Sequence, residues 1–322
     1  MKKHEDWKKA IVHLEGATDS VSWEEKQRLI DELRGAIKSK EDIDEHELFT
    51  METEIMGKGS RDLRYQGTAI FLEHESRRYL VTARHVIEDK LSAERDNKIY
   101  GGNFERVFNI IFRVPSLDLV LSNQNVPKAI LMNLNAGVSY MTPFTFSHPE
   151  LDLAIISLDQ RDSMFADELI ADGYSPISLS DIADEPSVEG AEIYAIGFPQ
   201  ATAVLGNREL HPEQLNWASN TFSVPITSFG RVAMLHNHLP YVWGDLSIYP
   251  GNSGGPVIED GKLVGIVSGQ STIYTEEMID QQSGERVPFI ARTRIPFAKV
   301  IKTKYIKELL AEQIEKDLKR NL

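Results

Sequence analysis

Gly251-Asn252-Ser253-Gly254-Gly255-Pro256 carries two readings. Taken literally it contains Gly-x-Ser-x-Gly, the pattern of a strand-to-helix elbow that presents a nucleophilic serine. An elbow serine is followed by its acid and then by its histidine. Here the last histidine is His238, upstream of Ser253, so that order is excluded. Further toward the N-terminus, Leu80-Val81-Thr82-Ala83-Arg84-His85-Val86 supplies an imidazole and Leu151-Asp152-Leu153-Ala154 a carboxylate. An order of acid, histidine, serine lacks an aspartate upstream of His85 in a comparable setting. A serine hydroxyl is a poor nucleophile near neutral pH. It needs an imidazole to accept its proton, and the imidazole needs an acid to hold its tautomer. His85, Asp152 and Ser253 are therefore the candidate base, orienting acid and nucleophile.

The residues between these motifs read as short strands. Gly67-Thr68-Ala69-Ile70-Phe71-Leu72 and Tyr79-Leu80-Val81-Thr82-Ala83 flank the polar turn His74-Glu75-Ser76-Arg77. Further β-prone runs cover 107–114, 129–134, 144–146 and 153–158, then 191–197, 221–226, 231–235, 256–258 and 263–267. Such a series of short strands with frequent turn signals predicts barrels or sandwiches. The polar stretch 159–173 marks a boundary between two β units, and 270–289 reads as a solvated loop.

Both ends read as helix. Ser22-Trp23-Glu24-Glu25 fits a capping box, followed by Trp23, Ile30, Leu33 and Ile37 at helical spacing. A shorter helix is expected from Trp7 to Leu14. Phe297, Ile301, Tyr305 and Leu309 form a helical stripe at the other end. The predicted organisation is a helical extension over 1–58, β units over 59–172 and 173–296, and a helix over 297–322.

Composition narrows the classes. The 322 residues carry a net charge of −14, which lacks the basic footprint of a nucleic-acid binder. There is no cysteine, so disulfides and thiolate metal sites are excluded. No run is long and apolar enough to span a bilayer, and the charged N-terminus does not lead into a signal peptide. A cytoplasmic, bacterial protein is the expectation. His236 and His238 alternate along a strand, but no third ligand accompanies them, and neither a metal nor a cofactor is expected.

These motifs resemble those of trypsin-like serine peptidases of the chymotrypsin superfamily. Gly265-Ile266-Val267-Ser268-Gly269 and Ala291-Arg292 add to the likeness, which spans about residues 64–296. Gly-Asn-Ser-Gly-Gly-Pro is most similar to bacterial HtrA-type peptidase domains, although too few residues follow Pro296 for a PDZ domain. The resemblance implies two perpendicular six-stranded β-barrels with the site between them. It implies an endopeptidase acting on peptide or protein substrates through an acyl-enzyme. The backbone N–H groups of Gly251 and Ser253 become the oxyanion donors, and Ser268 and Gly269 begin the strand that pairs with substrate. Ser247 falls at the pocket floor, or Asp245 if the register shifts. Asn252 stands where digestive members carry aspartate, so activation by a new N-terminal ammonium is not expected. The N-terminal helices are expected to meet a protein activator or regulator. The rival reading is a catalytically silent or latent binding protein on the same scaffold.

Overall fold

The computed structural model describes residues 2–18, 28, 31–33, 35, 63–103, 105–108, 110–122, 130–134, 139–160, 163–202, 204–205, 221–279 and 286–320. One β unit is a curled sheet in the order β5-β4-β1-β2-β3-β7-β6. Its strands are β1 (Ile11–Thr18), β2 (Leu63–His74), β3 (Arg77–Ala83), β4 (Ile110–Arg113), β5 (Leu131–Asn133), β6 (Phe144–Phe146) and β7 (Leu153–Ser157). A short β8 (Ile177–Ser178) joins β2 in parallel. The other unit is a closed barrel, β12-β13-β16-β15-β14-β9. It comprises β9 (Glu192–Gly197), β12 (Ile226–Met234), β13 (Tyr241–Asp245), β14 (Pro256–Glu259), β15 (Lys262–Ile279) and β16 (Arg286–Lys302). A separate pair, β10 (Val204–Leu205) and β11 (Thr221–Phe222), lies outside both units.

The mainly β expectation holds, and the second unit has the expected six strands. The first differs: among the described residues it is a curled sheet of eight strands. The reason is β1. Only His4–Lys9 is helical, and the chain then enters the sheet between β2 and β4, with Ile11 opposite Ile70 and Leu14 opposite Arg113. Trp7, Ile11 and Leu14 fall at helical spacing, yet every residue from 10 to 17 is buried. Apolar and polar residues alternate only over Val12-His13-Leu14-Glu15, and both faces of the strand are covered, so the strand period is brief in the sequence. Gly16 is needed within it, because a Cβ there would lie 2.5 Å from the Phe108 ring. Ser22 and Trp23 lie outside the described residues, while residues 28, 31–33 and 35 are helical as read.

The β2–β3 turn matches its sequence: Glu75 and Ser76 both have positive φ, 49° and 62°, as a tight two-residue hairpin requires. The stretch 270–289 does not read as the structure shows it. β15 and β16 continue as a ribbon to the pair Ile279 and Arg286, beyond the part of the barrel wall shared with β13 and β14. The C-terminal helix begins only at Lys304, because Phe297–Ile301 pairs with β13 and buries Ala298, Val300 and Ile301 to close the barrel. The helix starts beside the second barrel, where Ile306, Leu309 and Leu310 join a core shared with Ile266 and Ile301. It then crosses to the first sheet, where Gln313 and Asp317 are buried and accept hydrogen bonds from Thr145 Oγ1 (2.7 Å) and Ser157 Oγ (2.8 Å). An apolar core drawn from both units, including Ile70, Val81, Leu153, Ile196, Phe198 and Ile266, joins them. Among the described residues, no helix is long and apolar enough to cross a membrane.

Candidate active site

β3 ends at Ala83 and the chain makes one helical turn, Arg84–Ile87, that carries His85. Arg84 fastens this turn. Its guanidinium, 4% exposed, donates to Ser147 O (2.9 Å), Glu88 Oε1 (3.1 Å) and Glu105 Oε1 (2.7 Å), and covers the Phe146 ring at 4.6 Å. Asp152 stands just before β7 with φ of 50°, a left-handed conformation uncommon outside glycine but one that aspartate tolerates better than most residues. Here Arg84 N donates to Asp152 O at 3.1 Å. The inverted backbone aims the carboxylate at His85.

The carboxylate is densely used. Asp152 Oδ2 lies 2.8 Å from His85 Nδ1 and accepts from Ser268 Oγ at 2.6 Å. Oδ1 accepts from the His85 backbone N at 3.1 Å and lies 3.0 Å from Nδ1. Burial pushes the Asp152 carboxyl up, but the bond and charge of His85, the Ser268 hydroxyl and the His85 backbone N–H outweigh it. The net result lies below the ordinary carboxylate range. An ionised carboxylate only accepts, so Nδ1 carries the proton and Nε2 presents its lone pair. Tyr65 stands edge-on to the imidazole at 5.9 Å. Hollows of about 240 and 260 Å³ adjoin His85, one walled by Tyr65, Leu91 and Phe108, the other by Pro149, Asp152 and Lys299.

The serine loop is held by its backbone. Thr68 N donates to Ser253 O (2.8 Å), Thr68 Oγ1 to Gly251 O (2.8 Å) and Thr82 Oγ1 to Thr68 O (2.7 Å). Gly254 has φ of 84°, and a Cβ there would lie 1.9 Å from Thr68 O. Gly251 has φ of 99°, and its Cβ would lie 2.2 Å from Phe198 O. Only glycine fits either place. Gln200 N holds Pro250 O at 2.8 Å, and Gly255 N holds Asn252 O at 2.9 Å. In a trans peptide the N–H points opposite the carbonyl. The Gly251 and Ser253 N–H groups are thereby turned away from these anchors, and no other described residue accepts from either.

The structure brings His85, Asp152 and Ser268 into one hydrogen-bonded chain. Ser253 joins it through the Ser268 carbonyl, 3.4 Å from its Oγ, and among the described residues makes no hydrogen bond to His85. Catalytic hydrogen bonds are often long or misaligned without substrate. Gly269 opens onto space, with nothing within 4 Å of a built Cβ. Ser247 is exposed in the loop after β13 and makes no hydrogen bond among the described residues, and Asp245 is exposed at the end of β13. Asn252, 3% exposed, packs under Gly197. Among the described residues, no cluster of three His, Asp or Glu side chains gathers to hold a metal. Sequence reasoning missed Arg84 as an anchor and the hydroxyl of Thr68 as a clamp. Both sit inside quoted motifs, so adjacency to His85 and Gly67 was the only available signal.

A closed barrel packed on a curled sheet, with a histidine–aspartate pair beside a glycine-framed serine, defines the chymotrypsin-like architecture. The chain belongs to the trypsin-like peptidase domain family, whose model it matches over residues 67–266. Among solved structures it is similar to the catalytically active tobacco etch virus protease complexed with product. That likeness has 10% identity and a TM-score of 0.44, and it covers 97% of this chain and 81% of that one. No curated protein sequence matches the chain.

Proposed function

We propose that this protein is a serine endopeptidase acting through an acyl-enzyme. The observation that carries the reading is the Asp152 carboxylate bonded at once to His85 Nδ1 and Ser268 Oγ. It leaves Nε2 as the free base. A rotation of the Ser253 side chain from the Ser268 carbonyl to Nε2 completes the relay. Nε2 then takes the hydroxyl proton as Oγ bonds to the peptide carbonyl carbon. The carbonyl π electrons move onto oxygen, which the Gly251 and Ser253 N–H groups receive. The C–N bond breaks, His85 returns the proton to the departing amine, and the acyl group stays on Ser253. Water repeats the cycle to release the acid. Substrates are peptides or proteins whose backbone runs along β15 from Ser268 and Gly269, with Ser247 or Asp245 meeting the side chain before the cleaved bond. Asn252 offers no carboxylate to a new N-terminal ammonium, so no such cleavage switches the enzyme on.

A fluorophosphonate probe tests this. Wild type is labelled at Ser253, and Ser253→Ala and His85→Ala are not. The second reading, a latent or silent scaffold, is favoured by one contact, the Ser253 hydroxyl resting on Ser268 O. Absence of labelling and of peptide cleavage, alone and with candidate activators, would establish it.

A further inference from the structure

We infer that His13, on the N-terminal strand, is a positioning residue for the oxyanion donors: its ring props Phe198, and Phe198 props the peptides around Gly251. The inference rests on the serine-peptidase reading above.

His13 is wholly buried, and neither ring nitrogen has a hydrogen-bond partner among the described residues. A buried polar group without a partner is costly, and an apolar side chain of similar size would avoid that cost. What the ring does make is one close parallel contact, with Phe198, at 4.8 Å between centroids and 5° between planes. Burial holds the imidazole neutral, its protonation pushed down to about 3, so it presents an uncharged flat ring across the ordinary working range of pH.

Phe198 sits beside the anchors of the Pro250–Gly251 end of the donor loop. Its carbonyl touches Gly251, where a built Cβ would lie 2.2 Å away. Its N–H donates to Thr68 Oγ1 (3.2 Å), the same hydroxyl that holds Gly251 O at 2.8 Å. Two residues on, Gln200 N holds Pro250 O. Thr68 is in turn the cross-strand partner of His13. A shift of Phe198 therefore moves the Gly251 carbonyl through Thr68 and, through Gln200, the Pro250 carbonyl whose direction aims the Gly251 N–H. Room for such a shift exists, because Phe198 also lines a cleft of about 440 Å³ with Tyr174, Val224 and Pro225.

The test uses the full chain with His13→Phe, which keeps a flat ring, and His13→Leu, which keeps bulk but loses the parallel face. His13→Ala serves as a third variant. Fluorophosphonate labelling rates and the kcat and KM for one peptide are measured beside thermal melts. His13→Phe is expected to stay within about twofold of wild type. His13→Leu and His13→Ala are expected to lose roughly ten- to a hundredfold in labelling rate and kcat, with KM little changed, within the bound of about 10²–10³ for losing one oxyanion donor. The pH midpoint of labelling stays put, because the His85–Asp152 pair is untouched. If His13→Ala does not fold, the Phe and Leu variants decide. A folded His13→Leu labelled at the wild-type rate, or a His13→Phe as slow as the leucine variant, overturns the inference alone. A wild type unlabelled at Ser253 overturns the serine-peptidase reading and this inference with it.

Discussion

The two halves of the cleft are fixed by different means. On the first sheet, His85 and Asp152 are held by side chains: Arg84 bridging Ser147, Glu88 and Glu105, and Ser268 bound to the carboxylate. On the second barrel, the Ser253 loop is held mainly through its own backbone, by bonds to Thr68, Gln200 and Val267 with one side-chain clamp from the Thr68 hydroxyl, and by glycines with no room for a methyl. Side-chain anchoring lets the acid–base pair be altered without disturbing the chain path. Backbone anchoring makes the serine loop a shape that survives only with its glycines.

The largest effect expected from this contrast is chemical. Ser253→Ala or His85→Ala should each lower kcat about a million-fold, by analogy with subtilisin, with melting temperatures near wild type. Asp152→Asn comes next, at roughly ten-thousandfold in kcat, since an amide no longer selects the Nδ1–H tautomer. Proton NMR of the histidine ring would read that tautomer directly. On the other half, Gly251→Ala should lower kcat about 10²–10³-fold, because the methyl meets Phe198 O at 2.2 Å and displaces a donor. Gly269→Ala, with open space around it, should leave the melt unchanged and act only on KM. Equal behaviour of the two alanines would break the comparison.

The smallest effect is a pH effect. The Asp152 carboxyl is depressed in the folded protein, so it contributes stability at neutral pH that is lost as pH falls through its folded value. Ser268→Ala removes one depressing bond. It should cost about 2 kcal/mol at neutral pH and move the onset of acid destabilisation to higher pH, as melts across pH would show.

Much of the site was legible because its determinants are local. His85, Asp152 and Ser253 each lie within a few residues of distinctive neighbours, and chain order alone separated the alternatives. The parts that misled are set by distant partners. β1 looks helical because Trp7, Ile11 and Leu14 fall at helical spacing and only Val12 to Glu15 alternate. The 270–289 stretch is polar, yet its described residues up to Ile279 and from Arg286 pair strand to strand as a continuation of β15 and β16. Gln313 and Asp317 look like solvated helix positions until Thr145 and Ser157 meet them. Thr68 and Phe198 gain their positions only when the barrel closes against the sheet.

The place of β1 between β2 and β4 has a consequence for biosynthesis. A ribosome makes this strand before both neighbours that satisfy its hydrogen bonds, which follow from Leu63 and from Ile110 onward. Its backbone must wait, hydrated, until at least β4 has emerged, and assembly of the sheet is correspondingly non-local. Trimming the nascent or mature chain past Lys9 would therefore excise an interior plank rather than a tail, and a single cut there would silence the molecule.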